Sequence, residues 1–298
     1  MTVAYPCGVR QLGGRGPGAA QGSREPRRLT LVTTSLPQPR RGAPLVSVSL
    51  RDATGGAVLA AEDADRVHDA AAVGAIVLLA EVAVRFVDGR LSRDEPLVRT
   101  SDDAASGPGL WQQLRADTLP AADLAALVGA TDDVLATNVL LRRVGMAAVS
   151  DRARTMGLSD TALLDRVRDV RRPSDAPAHS VGTATELSGV MLALHHGQVR
   201  SRAVSHQVLD WLGLHTDTSM VAGALGMDPL AHADPDRGLT LAHRTGTGPG
   251  IRADVGLATG PRGAVAYAVL ATFDDGDRDG VLASMFRVGE RVRRFIDG

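Results

Sequence analysis

The sequence predicts an α/β (α+β) fold: a five-stranded antiparallel sheet flanked by helices, joined to an all-helical lobe. Three observations predict it. Two strand-like runs near residue 50 precede a long stretch of helical periodicity. Three strand-like runs return after residue 237, and an amphipathic helix closes the chain. Strands at both ends with helices between them build one sheet that the helices cover.

The elements follow in order. Leu45–Leu50 and Ala57–Ala61 alternate like strands, and DATGG at Asp52–Gly56 is a turn, so residues 45–62 read as a hairpin. Asp69–Asp88 reads as a helix, apolar all round from Ala70 to Ala80 and hence central, with Gly89 as its stop. Ala121–Val128, Val134–Val144, Ala147–Met156, Ala184–His195 and Ser205–Leu212 carry apolar residues at helical spacing. Arg168–Pro177 is charged and aperiodic, a loop. Leu239–His243, Ala253–Thr259 and Ala264–Phe273 are strands. Residues 277–296 are a helix with Val281, Leu282, Met285, Val288, Val292, Phe295 and Ile296 on its buried side. This places residues 45–66 and 237–298 in a sheet lobe and residues 67–236 in a helical lobe of one interleaved domain. Residues 1–44, rich in Gly, Pro, Arg and Gln, are expected to be a disordered leader.

Composition narrows the chemistry. The net charge is −1 with no basic run, which argues against nucleic-acid binding. With residues 1–44 read as a disordered leader, the expected location is cytoplasmic, and no apolar span reaches the length of about 18 residues that a membrane helix needs. All 33 basic residues are Arg, so no lysine base or Schiff-base lysine is available. Cys7 is the single cysteine, which excludes an intrachain disulfide. No metal and no cofactor is expected; His195-His196 has no partner at metal spacing and reads as a surface pair.

Four segments, in order, carry a resemblance: HDAAAVGAIVLLA at His68–Ala80, DGRLSRDEPL at Asp88–Leu97, TDDVLATNVLL at Thr131–Leu141 and HRTGTGPG at His243–Gly250. Together they resemble the class A serine β-lactamase and penicillin-binding protein family from about residue 45 to 296. The first resembles the helix opened by Ser-x-x-Lys, the third the Ser-Asp-Asn loop, and the fourth the Lys-Thr-Gly strand. The departures are chemical. At the Ser and Lys positions stand Ala71 and Gly74, which offer neither nucleophile nor proton acceptor. Asp132-Asp133-Val134 replaces Ser-Asp-Asn; a one-residue shift would use Thr131-Asp132-Asp133. Arg244 replaces the lysine of Lys-Thr-Gly. The loop glutamate of class A enzymes is absent, with Arg168 and Asp169 nearest. Removing such a nucleophile costs on the order of 10⁶ in rate, so hydrolysis by the family route is not expected.

The resemblance also implies what is kept. Backbone amides of Ala71 and Thr247 would form the oxyanion hole, and Arg244, Thr245 and Thr247, with Gly246 lining the same substrate site, would hold an anionic ligand. Trp111 resembles an aromatic gate of the cleft and reads equally as a core tryptophan. Asp132 and Asp133 are the candidate acid and base, with helix capping as the competing role. His68 reads as a plain helix-start histidine, with an approach to the cleft as the competing reading. Ser106, Ser150 and Ser180 lack an identifiable base, and Arg171-Arg172 reads as a solvated pair. Losing the Ser and Lys side chains would enlarge the pocket.

Three functions remain open. One is a repurposed enzyme doing non-covalent acid–base chemistry on a small carbonyl or carboxylate substrate, by isomerisation, cyclisation, elimination or hydrolysis. The GC-biased residue usage suggests an actinobacterial setting in specialised metabolism for it. The second is a pseudoenzyme that binds an acidic small molecule. The third is residual serine hydrolase activity through another serine.

Overall fold

The computed structural model describes Leu36, residues 43–228, Pro235 and residues 237–297. The leader expected over residues 1–44 lies almost wholly outside the described residues. β1 (Leu45–Asp52) and β2 (Val58–Glu62) form the expected hairpin. Its turn closes by a Gly56 N–H donating to the Asp52 carbonyl at 2.8 Å, with Gly56 at φ +74°. β3 (Thr240–Gly248), β4 (Ile251–Gly260) and β5 (Gly263–Thr272) complete a sheet of order β2-β1-β5-β4-β3, antiparallel throughout.

Both faces of the sheet are covered, and the period of two along β5 shows how. Ala264, Ala266, Ala268 and Leu270 enter a core shared with the helical part. Val265, Tyr267, Val269 and Ala271 enter a second core beneath α7 (Arg278–Asp297) and the 3₁₀ turn Val221–Leu225. On α7, Val281, Met285, Val288, Val292 and Ile296 are buried as expected. Leu282 is half-buried, and Phe295 stays 37% exposed, a correction: Ile296 beside it takes the inward position.

α1 (Ala75–Val87) is the central helix, buried without a break from Ala75 to Val84. Each Leu, Ile or Val so buried contributes roughly 1.5–3 kcal/mol. The one charge in that run, Glu81, is matched by Arg85 at 2.8 Å and Arg152 at 3.1 Å, which is the condition for burying a carboxylate. Asp88 is the C-cap of α1, and Gly89 follows at φ +69° as the expected stop. Its start is later than the sequence pattern predicts. His68–Asp69 pairs as a short strand with Val181–Gly182, and Ala71–Gly74 is a 3₁₀ turn. Ala71 has φ +45°, a left-handed conformation that no α-helix continues through.

α2 (Ala121–Thr131), α3 (Val134–Val144), α4 (Met146–Thr155), α5 (Ala184–His195) and α6 (Arg202–Leu212) fall within a few residues of their predicted positions. Thr183 and Ser201 cap α5 and α6 through their side chains. The aperiodic segment 168–177 is a loop, and Asp165 gathers Arg168 at 2.6 Å and Arg171 at 2.9 Å to hold it.

Candidate functional site

Three pieces of chain meet where the sequence motifs converge: the turn before α1, the α2–α3 junction and the end of β3. Their approach is close. A Cβ on Gly246 would lie 2.6 Å from the Ala70 carbonyl oxygen, so only glycine lets β3 run against the turn. Two residues earlier, Arg244 is 1% exposed and points into the helical part. Its Nε donates to the Ala72 carbonyl at 2.7 Å and its Nη1 to the Val128 carbonyl. Nη1 is also 3.0 Å from Asp132 Oδ1. That contact is an ion pair outside hydrogen-bond geometry, since Oδ1 has no hydrogen-bond partner among the described residues.

Asp132 and Asp133 part company here. Asp132 takes the left-handed conformation that ends α2, φ +53°, with its side chain 10% exposed. Burial pushes its carboxyl up to about 6; Arg244 offsets part of that, the charge of Asp217 adds to it, and His243 opposes it. Asp133 is the N-cap of α3. Its Oδ1 accepts from Ala136 N at 2.9 Å, and its Oδ2 accepts from Leu110 N and Trp111 N at 2.7 and 2.8 Å. Those three amides use both oxygens, so the acid–base role expected of Asp133 gives way to capping. Of the two readings of Trp111, the structure favours the core one: it is 0% exposed and its Nε1 donates to the Ala116 carbonyl at 2.8 Å.

The turn before α1 is closed from within. The Ala71 N–H, expected as an oxyanion donor, donates to Asp69 Oδ1 at 2.8 Å. Burial raises the Asp69 carboxyl, with this amide and Arg171 opposing. The Ala71 carbonyl accepts from Ser180 Oγ at 2.7 Å. Gly74 does not open the pocket as expected, because a Cβ there would lie 2.3 Å from Ser180 Cβ. The serine occupies that space. His68 is fully buried between Ser47 Oγ at 2.8 Å and Thr272 Oγ1 at 2.9 Å, and burial lowers it to about 4, with Arg66 adding to the shift.

Thr245 lies on the opposite face of β3 from Arg244, as strand alternation requires, and is 1% exposed. Its N–H donates to His215 Nε2 at 3.2 Å. Nε2 therefore carries no proton, and the ring's N–H is at Nδ1, donating to the Gly129 carbonyl at 2.9 Å. The Thr245 hydroxyl, 2.9 Å from Nε2, donates there too. This hydroxyl–imidazole pair is sealed from solvent, so no substrate carbonyl reaches it in this conformation. Thr247, two residues on, is exposed.

Sequence reasoning missed the group behind Thr245. The rings of His215 and His243 meet edge to face at 4.8 Å. His243 Nδ1 is 3.2 Å from Asp254 Oδ1, which also accepts from the Tyr267 hydroxyl at 3.0 Å. Burial, and then the charge of Asp254, raise the Tyr267 hydroxyl well above its usual value. His243 opens the HRTGTGPG segment, but no motif marks the other three; the registers His243↔Gly256 and Tyr267↔Gly256 bring the histidine and the tyrosine together across β4. Among the described residues no group of three or more His, Cys, Asp or Glu could hold a metal ion, and no helix is long and apolar enough to cross a membrane.

A family profile described as "Beta-lactamase enzyme family" matches residues 39–293. No curated protein matches the chain. Among solved structures, the chain is similar to a beta-lactamase from Sphaerobacter thermophilus, 24% identical, with a TM-score of 0.73 over 85% of this chain and 92% of that one. It is similar to PBP-A, 20% identical, TM-score 0.73, over 86% and 91% of the two chains. An ancestral class A beta-lactamase aligns at 23% identity and TM-score 0.72 over 85% and 95%. At these identities the likeness speaks for the fold.

Proposed function

Because the chain belongs to the beta-lactamase enzyme family, we propose that it is a non-catalytic member that recognises an acidic small molecule reversibly at Arg244. One observation carries the reading. From His68 to Asp88 there is no Ser, Thr, Tyr, Cys or Lys, and the polar groups around that turn are already satisfied by Asp69 and Ser180. No register of the alignment restores a nucleophile. What remains for a ligand is the guanidinium of Arg244, held rigidly through Nε and Nη1, with no hydrogen bond donated by Nη2 among the described residues; it is as buried as Thr245 in this conformation, so a ligand would reach it only by displacing the Asp132 side chain that covers it. A ligand carboxylate would compete there with Asp132, and a fixed guanidinium is suited to that partner.

The test uses benzylpenicillin, which carries both an acyl group and a carboxylate. Intact-mass spectrometry after incubation should return the unmodified chain. Reversible binding should be tighter at pH 5.5 than at pH 7.5, because protonating Asp132, whose carboxyl sits at about 6, releases Arg244. A covalent adduct would overturn the reading and return acyl transfer through a serine such as Ser180. A second reading, non-covalent acid–base turnover, is favoured by the position of Asp132 near neutrality. Turnover without adduct that disappears in Asp132→Asn would establish that reading instead.

A further inference from the structure

A cavity of about 550 Å³ lies away from Arg244, between α4, the turn after it and α5. Its size is that of a small-molecule site. Leu158, Val190 and Val199 are buried beneath it. Two local choices at this cavity run against backbone preference. Gly189 sits inside α5, where glycine weakens a helix, yet a Cβ there would meet nothing within 4 Å. Packing therefore does not demand the glycine, in contrast to Gly129 of α2, whose Cβ would be 2.4 Å from the Trp211 carbonyl oxygen. Arg200 holds φ +62°, a conformation costly for arginine. Local conflicts of this kind collect at functional sites.

The charges at the rim decide the ligand class. Arg152 is committed to Glu81 and to Thr155 Oγ1. The Glu186 carboxylate accepts from the amides of Ser159 and Asp160 and from the Ser159 hydroxyl. Arg200 is different: Asp88 is 3.8 Å away, beyond hydrogen-bond distance, and its side chain is 57% exposed. Arg200, exposed and held only by a long ion pair to Asp88, stands over the apolar floor of Leu158, Val190 and Val199. We propose that this cavity binds an amphiphile with an apolar body and a single anionic head, the head on Arg200 and the body over Gly189. This site is independent of the reading given to Arg244.

The probe is decanoate below its micelle concentration, titrated calorimetrically into the full chain, with decanol as the uncharged control. The wild type should bind decanoate more tightly than decanol. Arg200→Ala should erase that difference, and Gly189→Leu, which fills the cavity from the helix, should weaken both ligands about tenfold or more. Ala193→Phe fills the same space and serves if Gly189→Leu fails to fold. No binding to the wild type, or equal binding by wild type and the filled variants, would overturn the proposal.

Discussion

Gly74 and Gly189 look alike in the sequence, each a glycine in an apolar helical stretch, and the structure treats them oppositely. At Gly74 the missing side chain is replaced from outside, with Ser180 packed where a Cβ would go. At Gly189 nothing replaces it, and a cavity remains. The difference extends to the charges. Arg244, where the motif segments converge, is buried and paired with Asp132, whereas Arg200 at the cavity is exposed and loosely attended. The lesson is that a glycine leaves open space only where no neighbouring side chain occupies it.

Three measurements break or sharpen this contrast. The largest effect is expected from Gly74→Ala, where the new methyl meets Ser180 at a distance no packing tolerates. Thermal or denaturant unfolding should show a loss of about 3 kcal/mol, the upper range for overpacking. A loss below about 0.5 kcal/mol would mean that Ser180 fills no required space.

Next comes the pH dependence of stability. The Asp132 carboxyl is raised in the folded chain to about 6. Its contribution is therefore present below the unfolded value near 4 and is lost as pH rises through 6. His68 and His179 are lowered by burial to about 4, so theirs is present above pH 6.5 and lost as pH falls through 4. Asp132→Asn removes only the first. Relative to the wild type, the variant should gain on the order of 2 kcal/mol between pH 4 and pH 7 in denaturant melts. A constant offset across that window would show that Asp132 is not desolvated in the folded state.

The smallest effect has the opposite sign to the first. Gly189→Ala should stabilise the chain by roughly 0.5–1 kcal/mol, the helix-propensity gain with no clash to offset it. A destabilised Gly189→Ala would mean that the space beside α5 is filled.

Much of the architecture was legible because it rests on local rules. The period of α3 and α5, the turn at Asp52–Gly56 and the stop at Gly89 are written in neighbouring residues. The site was legible only in its omissions. That no hydroxyl or amine opens the central helix is a fact of composition between His68 and Asp88. What happened to the remaining groups was not, because each fate depends on a distant partner. Asp133 meets Trp111 across 22 positions, Ser180 meets Ala71 across 109, and Arg244 meets Ala72 across 172.

The sequence by itself determined the order of strands and helices, the family resemblance and the absence of hydroxyl, thiol and lysine side chains between His68 and Asp88. Those follow from periodicity, from turn-forming residues and from side chains that are simply not there. Only the tertiary structure decided that Asp133 caps a helix, that Asp132 sits on Arg244, that Trp111 is core and that Gly74 is filled while Gly189 is open. Hydrogen bonding, desolvation and packing are properties of what surrounds a group, and the surroundings are assembled from residues the chain keeps far apart.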